Sequence, residues 1–135
     1  HVIDYRAADL AEQILSLTNG KGVDRAVEVE FGVNAALLAG VVRANGVIAA
    51  YGSQLDMAPT LPFGPFLFKA ITIDIVLVYI LEAAPRAAAI EKLHAALIEG
   101  ALKPAIHEIL ALEDAARAHE RVMTAGRNGA VLLKI

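Results

Sequence analysis

The sequence predicts an α/β fold in which a parallel sheet is covered by helices on both faces. Short apolar runs alternate with segments of helical periodicity, and Asn-Gly pairs or single glycines separate them. Val47–Tyr51 is apolar or aromatic at every position, which is typical of a parallel strand buried on both faces. The 135 residues are enough for a domain with its own core.

The chain is predicted to begin with a strand over His1–Tyr5. Asp9 then caps a helix, with Glu12 completing a capping box, and Asn19-Gly20 ends that helix. Val23–Phe31 has the alternating composition of a second strand.

The next helix and strand are bounded by turn residues. Asn34 is predicted to cap a helix over Ala35–Ala44, which Asn45-Gly46 ends. The strand Val47–Tyr51 follows, and Gly52-Ser53 ends it. Residues 54–69, with three prolines, are predicted to form a stiff loop.

The remaining elements follow the same alternation. The predicted strands are Ala70–Leu81, Ala105–Leu112 and Ala130–Ile135. A helix lies between Pro85 and Gly100, and another is predicted over Asp114–Ala125.

Composition excludes several classes of function. Net charge is −3 without a basic stretch, so neither nucleic acid nor a membrane surface is expected as a partner. Cysteine is absent, which excludes disulfides and thiolate metal sites and fits a cytoplasmic protein. The four histidines lack helical i,i+3 or i,i+4 pairing, so no metal site is expected in this segment.

Three stretches resemble the medium-chain dehydrogenase/reductase superfamily. His1–Tyr5 followed by Leu17–Asp24 is similar to that family's third strand and next helix, and Asn45–Ser53 to its fifth strand and glycine turn. Leu112–His119 resembles its C-terminal Leu-x-x-Ala-x-x-Ala-His pattern. The likeness covers essentially the whole chain and is closest to the zinc-independent quinone oxidoreductases, which include zeta-crystallin.

The resemblance implies a partial doubly wound (Rossmann) parallel sheet with strands three to six, plus a C-terminal β-α-β segment that returns to the substrate domain. Residues 1–104 would belong to the dinucleotide-binding domain, and residues 105–135 to the substrate domain. The chain has no G-x-G-x-x-G motif, so the phosphate-binding turn is expected ahead of His1. His1–Tyr5 would then lack a lateral partner.

The resemblance also implies an activity, the transfer of hydride from a nicotinamide cofactor to a quinone or to an activated alkene or carbonyl. NADP is the implied cofactor, with NAD as the alternative. Tyr5 and Arg127 are the implied contacts of the NADPH 2′-phosphate, although Arg127 lies about two residues out of register. No catalytic residue is expected in this segment, which alone is predicted to be inactive.

Tyr51, Gly52 and Ser53 are the candidates that follow from position. They end a strand at the edge where open α/β sheets bind ligands, and are expected beside the nicotinamide or its ribose. Glu28 and Glu30 are expected to meet solvent or the start of the next helix rather than a ribose.

Alternatives remain open for function and assembly. A zinc-dependent alcohol dehydrogenase of the same superfamily would carry its metal ligands outside this segment. A non-enzymatic oligomerisation or binding module is a further possibility. The expected partners are a small-molecule substrate and a second copy of the chain, paired through the strand Ile71–Tyr79.

Overall fold

The computed structural model describes all 135 residues and divides into two compact units, His1–Leu81 and Glu82–Ile135. Each unit contains its own parallel sheet. The assignment of residues 1–104 and 105–135 to two domains of a larger protein stays a prediction.

Helices and strands alternate along both units. The helices are α1 (Leu10–Leu17), α2 (Phe31–Val41), α3 (Phe63–Phe68), α4 (Ala83–Ile98) and α5 (Ala115–Met123). The strands are β1 (Val23–Glu28), β2 (Val42–Ala50), β3 (Thr72–Ile75), β4 (Ile106–Ala111) and β5 (Ala130–Lys134). Short 3-10 turns lie at Val78–Ile80 and Leu112–Asp114.

The first unit confirms the α/β prediction. Its sheet has 3 parallel strands in the order β1-β2-β3, so β2 is central and β3 lies at an edge. Ile48 of β2 is opposite Ala26 on one side and Ile73 on the other. Ile48 and Val42 are fully buried, and each stabilises the fold by roughly 1.5–3 kcal/mol through removal of apolar surface from water.

Helix α2 completes the core of this unit. It contributes Leu38 and Ala39, which cluster with the buried residues of β2 and with Phe66 of α3. Its sequence is apolar on nearly all sides, as expected for a helix that contacts β1, β2 and α3.

The prediction of a strand at His1–Tyr5 is wrong. Residues 1–4 have no regular structure, and Tyr5 lies in a turn. β1 pairs only with β2, and the expectation that this segment lacks a lateral partner stays a prediction. The backbone groups of an extended segment need a neighbouring strand to form a ladder, and none is present.

The predicted capping box at α1 is also wrong. Asp9 occupies the N-cap position but caps no backbone N–H, because its Oδ1 accepts a hydrogen bond from Gln13 Nε2 at 2.8 Å. The backbone angles of Asp9, φ −101° and ψ 22°, lie outside the extended region that N-cap residues typically adopt.

The boundary between β1 and α2 comes earlier than predicted. β1 ends at Glu28, and α2 begins at Phe31 with Asn34 already inside the helix. Asn34 therefore does not cap α2, and its Nδ2 instead donates to Glu28 Oε1 at 3.1 Å. A side-chain amide can satisfy a nearby carboxylate as readily as a helix terminus.

Asn45-Gly46 lies inside β2 rather than before it. The register jumps from Val23 opposite Val42 to Arg25 opposite Val47, so the intervening residues form a bulge. Asn45 accommodates this with φ 58°, a conformation that asparagine adopts more readily than most residues. Its N–H donates to Lys69 O at 2.7 Å.

Two further predictions need correction. The predicted loop 54–69 contains α3, whose Phe66 is buried in the core. The predicted strand Ala70–Leu81 is formed only over Thr72–Ile75, because the ladder with β2 ends there and the chain turns at Val78–Ile80. Apolar composition alone did not reveal where this strand leaves the sheet.

The second unit has the predicted β-α-β arrangement near its end. β4 and β5 form a parallel 2-stranded sheet, and α5 packs against β5. Glu108 of β4 fixes α5 by accepting from Arg117 Nη2 at 2.7 Å and pairing with Arg121 Nε at 3.3 Å. Helix α4 begins before Pro85 and ends near Gly100, close to the prediction.

Candidate functional site

A cleft of about 410 Å³ lies at the carboxyl edge of the β1-β2-β3 sheet. Its walls come from the ends of β2 and β3, from the start of α2 and from the loop after β2. The lining residues are Phe31, Ala50, Tyr51, Gly52, Ser53, Met57, Pro59, Ile75, Val76 and Leu77. Open parallel sheets bind ligands at this edge, and apolar concavities of this size are typical ligand sites.

Gly52 allows the backbone at the end of β2 to approach that of β1. Its carbonyl accepts from Phe31 N–H at 3.1 Å, and Tyr51 N–H donates to Glu28 O at 2.9 Å. A Cβ on Gly52 would collide with the Val29 carbonyl oxygen. Only glycine therefore fits at this position without a shift of the backbone.

Ser53 has a different part in the site from the predicted one. Its Oγ accepts a hydrogen bond from Gly32 N–H at 2.8 Å and donates to Asp56 O. These bonds connect the start of α2 to the loop that carries Met57 and Pro59. The hydroxyl is thus engaged in holding the wall of the cleft.

Glu28, the last residue of β1, and Glu30, just before α2, both accept hydrogen bonds from backbone N–H groups, and neither lines the cleft. Glu28 Oε1 accepts from Glu30 N–H and from Asn34 Nδ2, and Glu30 Oε1 accepts from Leu55 N–H at 3.1 Å. The expectation that Glu28 meets the start of the next helix is confirmed by its bond to Asn34. Glu30 is directly before α2, where negative charge is favourable.

The structure brings together three of the five predicted site residues. Tyr51, Gly52 and Ser53 line the cleft. Tyr5 does not line it; its ring is 72% exposed, with the Arg6 guanidinium 5.0 Å from the ring centroid. Arg127 is exposed in the turn after α5, in the second unit.

Sequence reasoning missed most of the apolar wall. Phe31 was assigned to the end of a strand, whereas it begins α2 and packs against the core while lining the cleft. Val76 and Leu77 were assigned to the middle of a long strand, whereas they follow the end of β3. The only available signal was the usual strand length of about 5–6 residues, which favours an end before Leu81.

Side chains that could ligate a metal ion are not clustered in this chain. No group of three or more His, Cys, Asp and Glu side chains is arranged to hold one. None of the helices combines the length and the apolar character that crossing a bilayer requires.

The sequence model of one family, described as zinc-binding dehydrogenase, matches residues 1–133. The chain belongs to this family. The resemblance to medium-chain dehydrogenase/reductases is thereby confirmed, although the residues present do not fit the zinc ion of the family's description. No curated protein sequence is a significant match to the chain.

Solved structures of dehydrogenases and reductases share this fold. An NAD-dependent alcohol dehydrogenase is 26% identical with a TM-score of 0.78, over 98% of this chain and 37% of its own. A quinone oxidoreductase from Pseudomonas syringae pv. tomato DC3000 is 23% identical with a TM-score of 0.68, over 98% of this chain and 42% of its own. A mycobacterial protein complexed with NADPH is 19% identical with a TM-score of 0.77, over 99% of this chain and 43% of its own.

The chain therefore spans less than half the length of these structures. What it shares with them is the fold, a parallel sheet flanked by helices, as predicted from the sequence.

Proposed function

We propose that this chain supplies the nicotinamide end of the cofactor site in an NAD(P)H-dependent oxidoreductase, which transfers hydride to a quinone or to an activated alkene or carbonyl. The observation that carries the proposal is the apolar cleft at the carboxyl ends of the three parallel strands. Family membership and the cofactors named for the matched structures support it.

The lining residues suit the nicotinamide ring. Phe31 and Tyr51 offer aromatic faces, and Gly52 lets backbone approach a ligand closely. The cofactor, when bound, supplies the hydride, while this wall would exclude water and orient the ring. The pyrophosphate has no cradle here, because the chain lacks a G-x-G-x-x-G turn at a helix N-terminus.

The choice of NADP over NAD belongs to the same proposal. The Arg6 guanidinium lies over the Tyr5 ring, 5.0 Å from its centroid, on an exposed turn, and a guanidinium together with a phenol suits a 2′-phosphate. Arg127 is a second candidate for that contact. A Tyr5→Phe variant is expected to lower the preference for NADPH over NADH.

A homodimer through the Ile71–Tyr79 segment is also proposed. β3 is an edge strand, and Ile75, Tyr79 and Ile80 are 83%, 89% and 75% exposed. An apolar strand edge needs cover, and the same edge of a second copy would supply it. Sedimentation of the wild type and of Ile75→Lys would test this, with loss of the dimer expected for the variant.

The chain's two methionines provide a direct test of cofactor binding. Met57 lines the cleft, and Met123 is exposed on α5 in the other unit. With ¹³C-methyl methionine, NADPH and reduced nicotinamide mononucleotide are each expected to shift Met57 and leave Met123 unchanged. Adenosine 2′,5′-bisphosphate, which lacks the ring, is expected to leave Met57 unchanged.

Two tyrosine variants provide a matched control. Tyr51→Ala removes a ring from the cleft and is expected to weaken the Met57 response. Tyr79→Ala removes a ring of the proposed dimer segment that does not line the cleft, and it is expected to leave the Met57 response unchanged whether or not the dimer forms. Absence of any Met57 response to either reduced nicotinamide probe would overturn the proposal.

Two alternatives predict other outcomes. A self-sufficient binding module would bind NADPH tightly through this chain alone, with the adenosine phosphate contributing most of the affinity. A zinc-dependent alcohol dehydrogenase would require its ligands in a separate part of the protein, since no metal-binding group lies here. Zinc analysis of the purified protein distinguishes that case.

A further inference from the structure

We infer that the cleft at the carboxyl edge selects uncharged, apolar electrophiles and discriminates against substrates that carry an anionic group. The inference rests on the proposed function, because it names the substrate class of the same site. It depends on what lines the cleft and on how charge is distributed between the two edges of the sheet.

The lining offers nothing that neutralises an anion. No lysine, arginine or histidine is among the lining residues, and most of the wall is aliphatic, aromatic or proline. The Ser53 hydroxyl donates its proton to Asp56 O, so it is not free to donate to a ligand. A carboxylate or sulfonate that entered would lose hydration without gaining a charged partner, which is costly.

Two basic side chains next to this sheet, Lys69 and Arg43, are held at its opposite edge, and Arg25, in the middle of β1, is exposed and does not line the cleft. Lys69 Nζ donates to Ala39 O and Gly40 O, both at 2.8 Å, at the C-terminal end of α2. Arg43, just after the start of β2, is paired with Asp24 near the start of β1. Both cations thus lie where the strands begin.

Carboxylates lie instead on the side of the cleft. Glu28 ends β1, Glu30 precedes α2, and Asp56 is next to Met57 in the loop that forms one wall. Hydrogen bonds from backbone N–H groups hold all three, from Glu30, Leu55 and Ala58 respectively. The local field at this edge is therefore negative, and it repels anions while leaving neutral ring systems unaffected.

Two probes that differ by one anionic group test the inference. 1,4-Naphthoquinone is neutral, and 1,4-naphthoquinone-2-sulfonate adds a sulfonate to the same rings; the chain has no cysteine for either to alkylate. The neutral probe is expected to shift the Met57 methyl resonance and not Met123, and to bind at least about fivefold more tightly than the sulfonate. Equal affinities, or tighter binding of the sulfonate, would overturn the inference.

A charge introduced into the wall provides the second arm. Leu77→Lys places a cation in the cleft at a residue that is 47% exposed, and is expected to improve sulfonate binding about fivefold. Val78→Lys, 57% exposed and outside the lining, is the matched control and is expected to change sulfonate binding much less. An equal gain in both variants would attribute the effect to overall charge and would contradict the inference.

These measurements use no cofactor, so the two proposals fail separately. Nicotinamide binding at Met57 combined with equal affinity for the two quinones would reject the charge selection and keep the cofactor site. Preference for the neutral quinone without any response to reduced nicotinamide would reject the cofactor site and keep the selection of uncharged ligands.

Discussion

The hydroxyl of Ser53 lies 2.8 Å from the backbone nitrogen of Gly32 and accepts its hydrogen bond. The same oxygen donates to the carbonyl of Asp56. One side chain thus connects the end of β2, the first turn of α2 and the loop that carries Met57. This connection fixes the loop against the first turn of α2.

Ser53→Ala is expected to loosen the loop without unfolding the unit. It leaves Gly32 N–H without its acceptor, and should lower the free energy of unfolding by about 1 kcal/mol. Urea denaturation measures the loss of stability. The Met57 methyl resonance should become narrower, as expected for a more mobile side chain. Ser16→Ala, at an exposed position of α1, is the control and should not lower stability; equal loss in both variants would refute the role assigned to Ser53.

Lys69 binds the C-terminal end of α2, and its substitution is expected to lower the free energy of unfolding by more than that of Ser53. Its Nζ donates to the carbonyls of Ala39, Gly40 and Val42 at 2.8, 2.8 and 3.0 Å. Carbonyls at a helix C-terminus lack intrahelical partners, and a cation there also complements the helix dipole. Lys69→Met should therefore cost about 1.5–3 kcal/mol in urea unfolding.

Lys21→Met provides the comparison for Lys69. Lys21 is exposed in the turn before β1, and its side chain makes no hydrogen bond or ion pair, although its backbone N–H donates to Thr18 O at 3.1 Å. Its substitution should change stability by less than about 0.5 kcal/mol. If Lys69→Met changed the free energy of unfolding as little as Lys21→Met does, water would be replacing Lys69 at the three carbonyls at little cost, and the prediction would be wrong.

The sequence predicts the alternation of strands and helices well and their boundaries poorly. Val47–Tyr51 predicts a buried strand because its side chains are all apolar or aromatic. In the structure, residues 47–50 belong to β2. The prediction of a strand at His1–Tyr5 is wrong because a strand also needs a hydrogen-bonding neighbour, which local composition does not reveal. The tertiary structure determines the conformation of such a segment, and the sequence pattern within the segment carries no information about it.

The candidate site was predictable only in part, for a similar reason. Gly52 could be identified because a glycine after a parallel strand marks a close approach at the ligand-binding edge. Phe31 and Leu77 could not, because their place in the cleft depends on where β1 and β3 leave the sheet. A continuous apolar run contains no signal for that point, since Ile75 and Val76 are both β-branched and apolar although only Ile75 belongs to β3.

Stability should depend on pH through one ion pair. Arg43 donates to Asp24, and this hydrogen bond together with its charge holds the pKa of Asp24 below the ordinary value of 3.8. A carboxylate whose pKa is lower in the folded state stabilises the fold above its unfolded pKa, and this stabilisation is lost as pH falls through the folded pKa. The contribution should therefore be full at neutral pH, start to decrease at about pH 4 and be lost once the pH is below the folded pKa of Asp24.

A carboxyl titration measures this directly. The ¹³C resonance of the Asp24 side chain should titrate with a midpoint below 3.8 in the wild type, and the midpoint should return towards 3.8 in Arg43→Met. Added salt should narrow the difference, since both side chains are exposed to solvent. An unchanged midpoint in the variant would show that the pair does not persist in solution.

Gly52 and Gly40 should respond to alanine in opposite directions, although both are glycines of the same unit. A Cβ on Gly52 would collide with the backbone carbonyl of Val29. That carbonyl cannot move away without disturbing the backbone hydrogen bonds that link the ends of β1 and β2. Gly52→Ala should therefore cost about 1–3 kcal/mol and shift the Met57 resonance as the cleft deforms. Gly40 lies inside α2 with nothing within 4 Å of its Cβ position, so Gly40→Ala should gain about 0.5–1 kcal/mol by reducing the entropy of the unfolded chain. A neutral Gly52→Ala would mean that the end of β2 can move away from β1, and the close approach that forms the back of the cleft would then be incidental.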